Sequence, residues 1–163
     1  MPRKSAIAAL SASSRSFTVR AVKQMVEDSS EQDSGGDRAV LRAMHFYGDN
    51  ARVEKQAAAL KAGDFETFKK YIIESGRSSY MYNQNVYSCK KASEQPVSLA
   101  LSLSEKLLDG CGAWRVHGGG FAGTIQAFVP LNKLDEYKDL MEKVFGSGSC
   151  YILSVRPVGG VEL

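Results

Sequence analysis

Residues 113–130 read AWRVHGGGFAGTIQAFVP, and the fold turns on how this stretch is parsed. AWRVH is short and rich in strand formers, GGGFAG is a flexible loop, and TIQAFVP is a second strand closed by Pro130. Downstream, Asn132 is placed to cap a helix carrying Leu134, Tyr137, Met141, Val144 and Phe145, which Gly146 ends. SCYILSVRP then predicts a closing strand. Upstream, Pro96 suits the first turn of a helix that runs to Leu108 before Gly110, burying Val97, Ala100, Leu101 and Leu108. The Tyr-rich run SSYMYNQNVYSCKKASEQ before it is irregular.

Two further helices precede that run. From Asp37 to about Ala62 the pattern is helical, with Val40, Met44 and Tyr47 on one stripe. Gly63 stops it, Asp64 caps the next helix, and Phe65, Phe68 and Ile72 repeat at helical spacing until Gly76. Helices first, then strand, strand, helix, strand, predict an α+β domain whose helices cover one face of a small, mostly antiparallel sheet.

Residues 1–36 differ in composition: Ser- and Ala-rich with Arg3, Lys4, Arg15, Arg20 and Lys23, then the acidic EDSSEQDSGGD. A boundary falls near Gly36, with a flexible or non-native leader before it and one domain over 37–163. The acid-free start has the bases and serines of a transit peptide, but Ile7, Leu10, Phe17, Val19 and Val22 form no helical stripe.

The chain has 163 residues, 44% of them hydrophobic and 24% charged, which is ordinary for one soluble domain. Of its net charge of +3, residues 1–25 contribute five bases and no acid, which leaves 16 bases against 18 acids afterwards, and that remainder has no basic stripe with interleaved aromatics. Nucleic acid is therefore not an expected partner. No apolar run reaches the roughly 18 residues of a membrane span, so no membrane is expected either. Cys89, Cys111 and Cys150 are odd in number and lack CxxC spacing, which points to a reducing, cytoplasmic setting. His45 and His117 stand far apart, and no metal site is expected.

Gly118, Gly119, Gly120, Phe121, Ala122 and Gly123 satisfy G-x-G-x-x-G. A dinucleotide fingerprint requires a helix next, and here a strand follows, so that reading fails. No GxxxxGK[ST] occurs, which removes the Walker loop. Successive glycines still let backbone N–H groups approach an anion or another main chain. Strand alternation puts Arg115 and His117 on the same side just before them. The competing reading is a hairpin turn with Arg115 in a surface salt bridge and His117 hydrogen-bonded structurally. Tyr80, Tyr82 and Tyr87 offer stacking faces but more often pack a loop onto a core. The serines at 11–16 and Cys89 have no paired base, and no residue is assigned a catalytic role.

In this strand context, GAWRVHGGGFAGTIQAFVP resembles the third conserved motif of GHMP kinases in its galactokinase form. DNARVEKQAAALKAGDFETFKKYIIESGRSS resembles the helical pair of that family, and GSGSCYILSVRPVGG its closing strand. The three blocks lie in the family's order and span residues 37–163. The resemblance implies a GHMP kinase C-terminal domain, ferredoxin-like, from an enzyme that phosphorylates the anomeric hydroxyl of galactose with ATP and Mg2+. It places Gly118, Gly119, Gly120, Phe121 and Gly123 against the nucleotide-phosphate loop, with Arg115 and His117 in support. Close backbone approach or a positive φ is expected at Gly119. His117 and Ala122 depart from the usual Thr and Gly, which argues against a phosphate contact from position 117.

The family's sugar-binding motif, catalytic Asp and Arg, and triphosphate loop are not found in the sequence. The chain alone is expected to be inactive and to bind no cofactor without the N-terminal kinase half. A non-catalytic, galactokinase-like regulatory or interaction module is the alternative.

Overall fold

The computed structural model describes residues 36–120 and 123–154. The leader therefore lies outside the described residues, apart from Gly36, where the first helix begins. That helix, α1 (Gly36–Ala62), is followed by α2 (Phe65–Ser78). The join is a glycine cap: Gly63 has φ +71°, its N–H donates to Leu60 O at 3.1 Å, and the Asp64 N–H donates to Ala59 O at 2.9 Å. Asp64 then caps α2, its carboxylate accepting from the Thr67 N–H at 3.0 Å.

Gly76 does not end α2. The helix runs to Ser78 and continues as a π-helical turn over Ser79–Asn83, so the start of the Tyr-rich run is helical rather than irregular. The glycine has a different purpose. A Cβ there would stand 3.1 Å from both Arg115 Cα and Trp114 O, so a strand passes directly against the helix at this point. Gln84, at φ 53°, turns the chain out of the π turn. A short 3₁₀ turn at Cys89–Lys91 leads to α3 (Pro96–Leu108), which has Pro in its first turn as expected.

The hairpin consists of β1 (Ala113–Val116) and β2 (Ile125–Phe128), antiparallel, with Ala113 opposite Phe128 and Val116 opposite Ile125. A 3₁₀ turn at Leu131–Lys133 leads into α4 (Leu134–Phe145). Asn132 sits inside that turn and caps nothing, because the tighter turn starts directly after Pro130 and moves the helix start past it.

The architecture is α+β and rich in helix, but the helices do not gather on one face of the sheet. Trp114 and Val116 point to one side of β1. Trp114 packs with Leu108 of α3 and with Tyr137 and Met141 of α4, and Val116 packs with Val86 and with Val97 of α3. Arg115 and Phe128 point to the other side, where α2 lies: Gly76 abuts Arg115, and Phe68 meets Phe128 edge to face with ring centroids 5.1 Å apart. The hairpin is thus bracketed, since both its faces are apolar enough to need cover.

The expected closing strand is not formed between Ser149 and Ser154. Tyr151, Ile152 and Leu153 are exposed and pair with no strand among the described residues, and the remainder of SCYILSVRP lies outside them. The backbone of a strand needs a ladder partner, and its side-chain pattern alone does not supply one.

The stripe expected on α1 also differs. Met44 is 41% exposed, while the inward face consists of His45, Gly48, Arg52, Gln56 and Ala59. This face is polar because α2 offers it polar groups. Gln56 Nε2 donates to Tyr71 O at 3.3 Å, His45 Nδ1 lies 3.0 Å from Ser78 Oγ, and Arg52 pairs with Asp49 and Glu74. No helix among the described residues is long and apolar enough to cross a membrane.

Candidate functional site

The glycine loop is held at its base by the hairpin. The His117 N–H donates to Thr124 O at 3.0 Å, one step beyond the Val116–Ile125 pair, and the Gly123 N–H donates to Gly120 O at 3.0 Å. Gly118, Gly120 and Gly123 have φ of +62°, +80° and +81°, which a residue with a Cβ adopts only under strain. Gly119 is not in the left-handed region, and a Cβ there would meet nothing within 4 Å. The close approach expected at Gly119 is therefore not made by any described part of this chain. Phe121 and Ala122 lie outside the described residues.

Gly118 and Gly119 are exposed and Gly120 is buried. The loop thus presents backbone on one side and rests on the protein on the other. What it rests on is Asn85. The Asn85 side chain is 2% exposed, accepts from Ser79 Oγ at 2.8 Å and donates from Nδ2 to Gly119 O at 3.3 Å. A Cβ on Gly120 would overlap the Asn85 carbonyl oxygen and lie 2.7 Å from its Nδ2. Nothing in the periodicity of the sequence singled out Asn85. The available signal was an amide beside Val86, in a run otherwise read as irregular.

The two residues placed beside the glycines diverge. His117 is exposed at the mouth of the loop. Arg115 is half-buried and turned to α2, with Nη1 donating to Ser75 Oγ at 3.1 Å, while its buried Nε–H has no partner among the described residues. Its charge is felt next to it. Burial holds His45 below the usual imidazole range, and Arg52 and Arg115 push it the same way against the opposing carboxylate of Asp49.

Tyr80 and Tyr87 lean on each other at 6.1 Å between ring centroids, with Tyr80 exposed and Tyr82 and Tyr87 half-buried. Tyr87 packs against the Val86, Val97 and Val116 cluster. The cysteines are free. Cys111 donates weakly to the end of α3, and burial, reinforced by Glu142, pushes the Cys150 thiol up. Among the described residues no group of three or more His, Cys, Asp or Glu gathers in a way that could hold a metal ion.

An exposed glycine loop on a buried polar anchor can offer backbone N–H groups to an anion. It supplies no acid, base or nucleophile of its own. No protein-family model matches the chain, and no solved structure matches it. Curated proteins do. A galactokinase of Homo sapiens is 27% identical over 140 residues, covering 86% of this chain and 34% of that protein. A galactokinase of Bos taurus is 28% identical over 130 residues, covering 79% and 31%. One from Mannheimia succiniciproducens is 24% identical over 120 residues, covering 74% and 29%. The chain spans about a third of the length of these relatives. The chain is thus similar in sequence to galactokinases across about a third of their length.

Proposed function

We propose that the chain is the C-terminal part of an ATP-dependent galactokinase, a GHMP kinase domain that contributes its glycine loop to an active-site cleft completed by an N-terminal half. The observation that carries this reading is Gly119. It is exposed, has no left-handed φ and has open space where a side chain would go, so no described part of its own chain gives a reason for a glycine there. A surface from outside the described residues that packs on the loop supplies one, and the triphosphate-binding loop of a galactokinase fits that place. Bound there, ATP with Mg2+ provides the phosphoryl group, and galactose accepts it at the anomeric hydroxyl. The exposed main chain of Gly118 and Gly119 is compatible with phosphate, because backbone N–H groups without Cβ atoms can come close to an anion. The described residues offer no cluster of carboxylates for the cation, which is carried on the phosphates and by groups of the N-terminal half. The order of α3, β1, β2 and α4 supports the ferredoxin-like reading of the domain. Helix α2 and α1 are the additional layer.

The test joins a galactokinase N-terminal half to residues 37–163 and follows galactose-dependent ADP formation. Activity is expected in the joined protein and not in the chain alone, where ATP should bind with a Kd above about 1 mM, or roughly 4 kcal/mol. A folded joined protein without activity rejects the kinase reading, and turnover by the chain alone rejects its incompleteness. Gly119→Val refines the test. Since no described atom opposes the new side chain, the melting temperature of the chain should hold while turnover of the joined enzyme falls by about a hundredfold.

A further inference from the structure

We infer that Asn85 is the positioning residue of the glycine loop, the side chain that sets where the backbone of Gly118–Gly120 stands relative to the helices. This rests on the reading of that loop as part of a kinase cleft. Among the described residues, the hydrogen bond that joins the loop to the molecule outside its own hairpin is the one from Asn85 Nδ2 to Gly119 O, 3.3 Å long and bridging 34 positions of sequence. The opposite end of the carboxamide is fixed by the Ser79 hydroxyl at 2.8 Å, so the amide cannot rotate without breaking a buried hydrogen bond. Ser79 is itself buried.

Three further features hold Asn85 to the same place. Gln84, at φ 53°, makes the turn that brings residue 85 inward from the π-helical end of α2. Val86, 2% exposed, packs with Val97 and Val116 and with Ile125, and Val116 and Ile125 are the cross-strand pair at the base of the loop. Gly120 rests on Asn85 so closely that no Cβ fits between them. A buried amide with both ends engaged, seated between the loop and the hairpin that carries it, acts as a spacer of fixed length. Catalytic parts misplaced by 1 Å can cost on the order of a hundredfold in rate, which is the scale on which such a spacer matters.

The experiment uses Asn85→Ala, with Ser79→Ala as the milder variant that leaves Asn85 in place and frees its amide. Leu108→Ala serves as a control that weakens the core away from the loop. In the chain alone, hydrogen exchange of the His117 and Gly123 amides, which are the hydrogen-bonded N–H groups at the base of the loop, should speed up about tenfold or more in both variants while the α3 amides are unchanged. In the joined enzyme, kcat should fall about tenfold or more, with KM for galactose within about twofold of the parent. Loop exchange that stays at the parent rate, or that rises only in step with α3 as in Leu108→Ala, overturns the inference. So does normal kcat in a joined enzyme whose loop has loosened. If the joined parent is inactive, the kinase reading fails, and the exchange measurement still decides whether Asn85 sets the loop.

Discussion

Gly76 and Arg115 meet main chain to main chain: a Cβ on Gly76 would lie 3.0 Å from the Cβ of Arg115 and 3.1 Å from its Cα. Replacing Gly76 by Ala gives α2 a better helix former, worth about 1 kcal/mol. It also forces β1 away from the helix, and overpacking of this kind costs about 1–3 kcal/mol. The net result expected from chemical denaturation is a loss of about 1 kcal/mol. Gly48 provides the contrast, because a Cβ there meets only the end of the flexible Arg52 side chain at 3.4 Å. Gly48→Ala should stabilise by about 0.5–1 kcal/mol. Equal effects at the two glycines would mean that helix propensity alone decides and that the contact with β1 is not tight.

Ser104 Oγ lies 2.8 Å from Tyr137 Oη and 2.8 Å from Ala100 O, joining α3 to α4 in the core. Burial pushes the Tyr137 phenol up from its ordinary value against the favourable bond to Ser104. Tyr137→Phe should cost about 1 kcal/mol, the usual net value of a neutral buried hydrogen bond. Ser104→Ala should cost a similar amount, and the double variant less than the two together. Strict additivity in the double-mutant cycle would show that the two hydroxyls do not interact.

His45 titrates in a half-buried site facing Ser78, Asp49, Arg52 and Arg115. Its folded pKa lies below the ordinary 6.5, so the folded state resists a proton that the unfolded state accepts. Stability is therefore fully present above about pH 6.5 and is lost as pH falls through the folded value. Urea titrations at pH 7.5 and pH 5.5 should show the parent weaker at the lower pH, and His45→Gln should flatten that difference. An unchanged pH dependence in His45→Gln would assign it to other groups.

Gln84 is the non-glycine residue with a positive φ among those described. Gln84→Gly should raise stability by about 0.5 kcal/mol, and Gln84→Val should lower it by more than 1 kcal/mol, as β-branching opposes that conformation. A destabilised glycine variant would point to a role for the glutamine side chain that the backbone does not explain.

Local chemistry made much of the fold legible in the sequence. Pro96 and Leu108 bound α3 as expected, Gly63 and Asp64 mark the join of α1 and α2, and the two strands flank the glycines. What misled was every position whose reason is non-local. Gly76 reads as a helix stop until β1 is placed against it. Met44 reads as buried until α2 is seen to offer α1 hydrogen bonds, which select His45 and Gln56 instead. Tyr151, Ile152 and Leu153 have the composition of a strand but no ladder partner among the described residues. At the site, the glycines were visible by type, whereas Asn85 was not. A buried amide acquires its meaning only from the two groups it joins, six and 34 residues away along the chain.

The polar inner face of α1 bears on how the molecule comes apart. This helix of 27 residues fully buries only Gln56 and Ala59, and its polar contacts with α2 include Arg52, His45, the amide of Gln56 and the Lys55 ammonium over the Tyr71 ring. The Arg52–Glu74 pair weakens when salt screens its charges, whereas the apolar contacts around Leu108 and Trp114 do not. Helix α1 is therefore expected to open before the remainder unfolds, with its amides exchanging at a free energy below that of global unfolding. Its departure would uncover the back of α2, bare the Ser78 end of the helix and open a long stretch of chain to a protease.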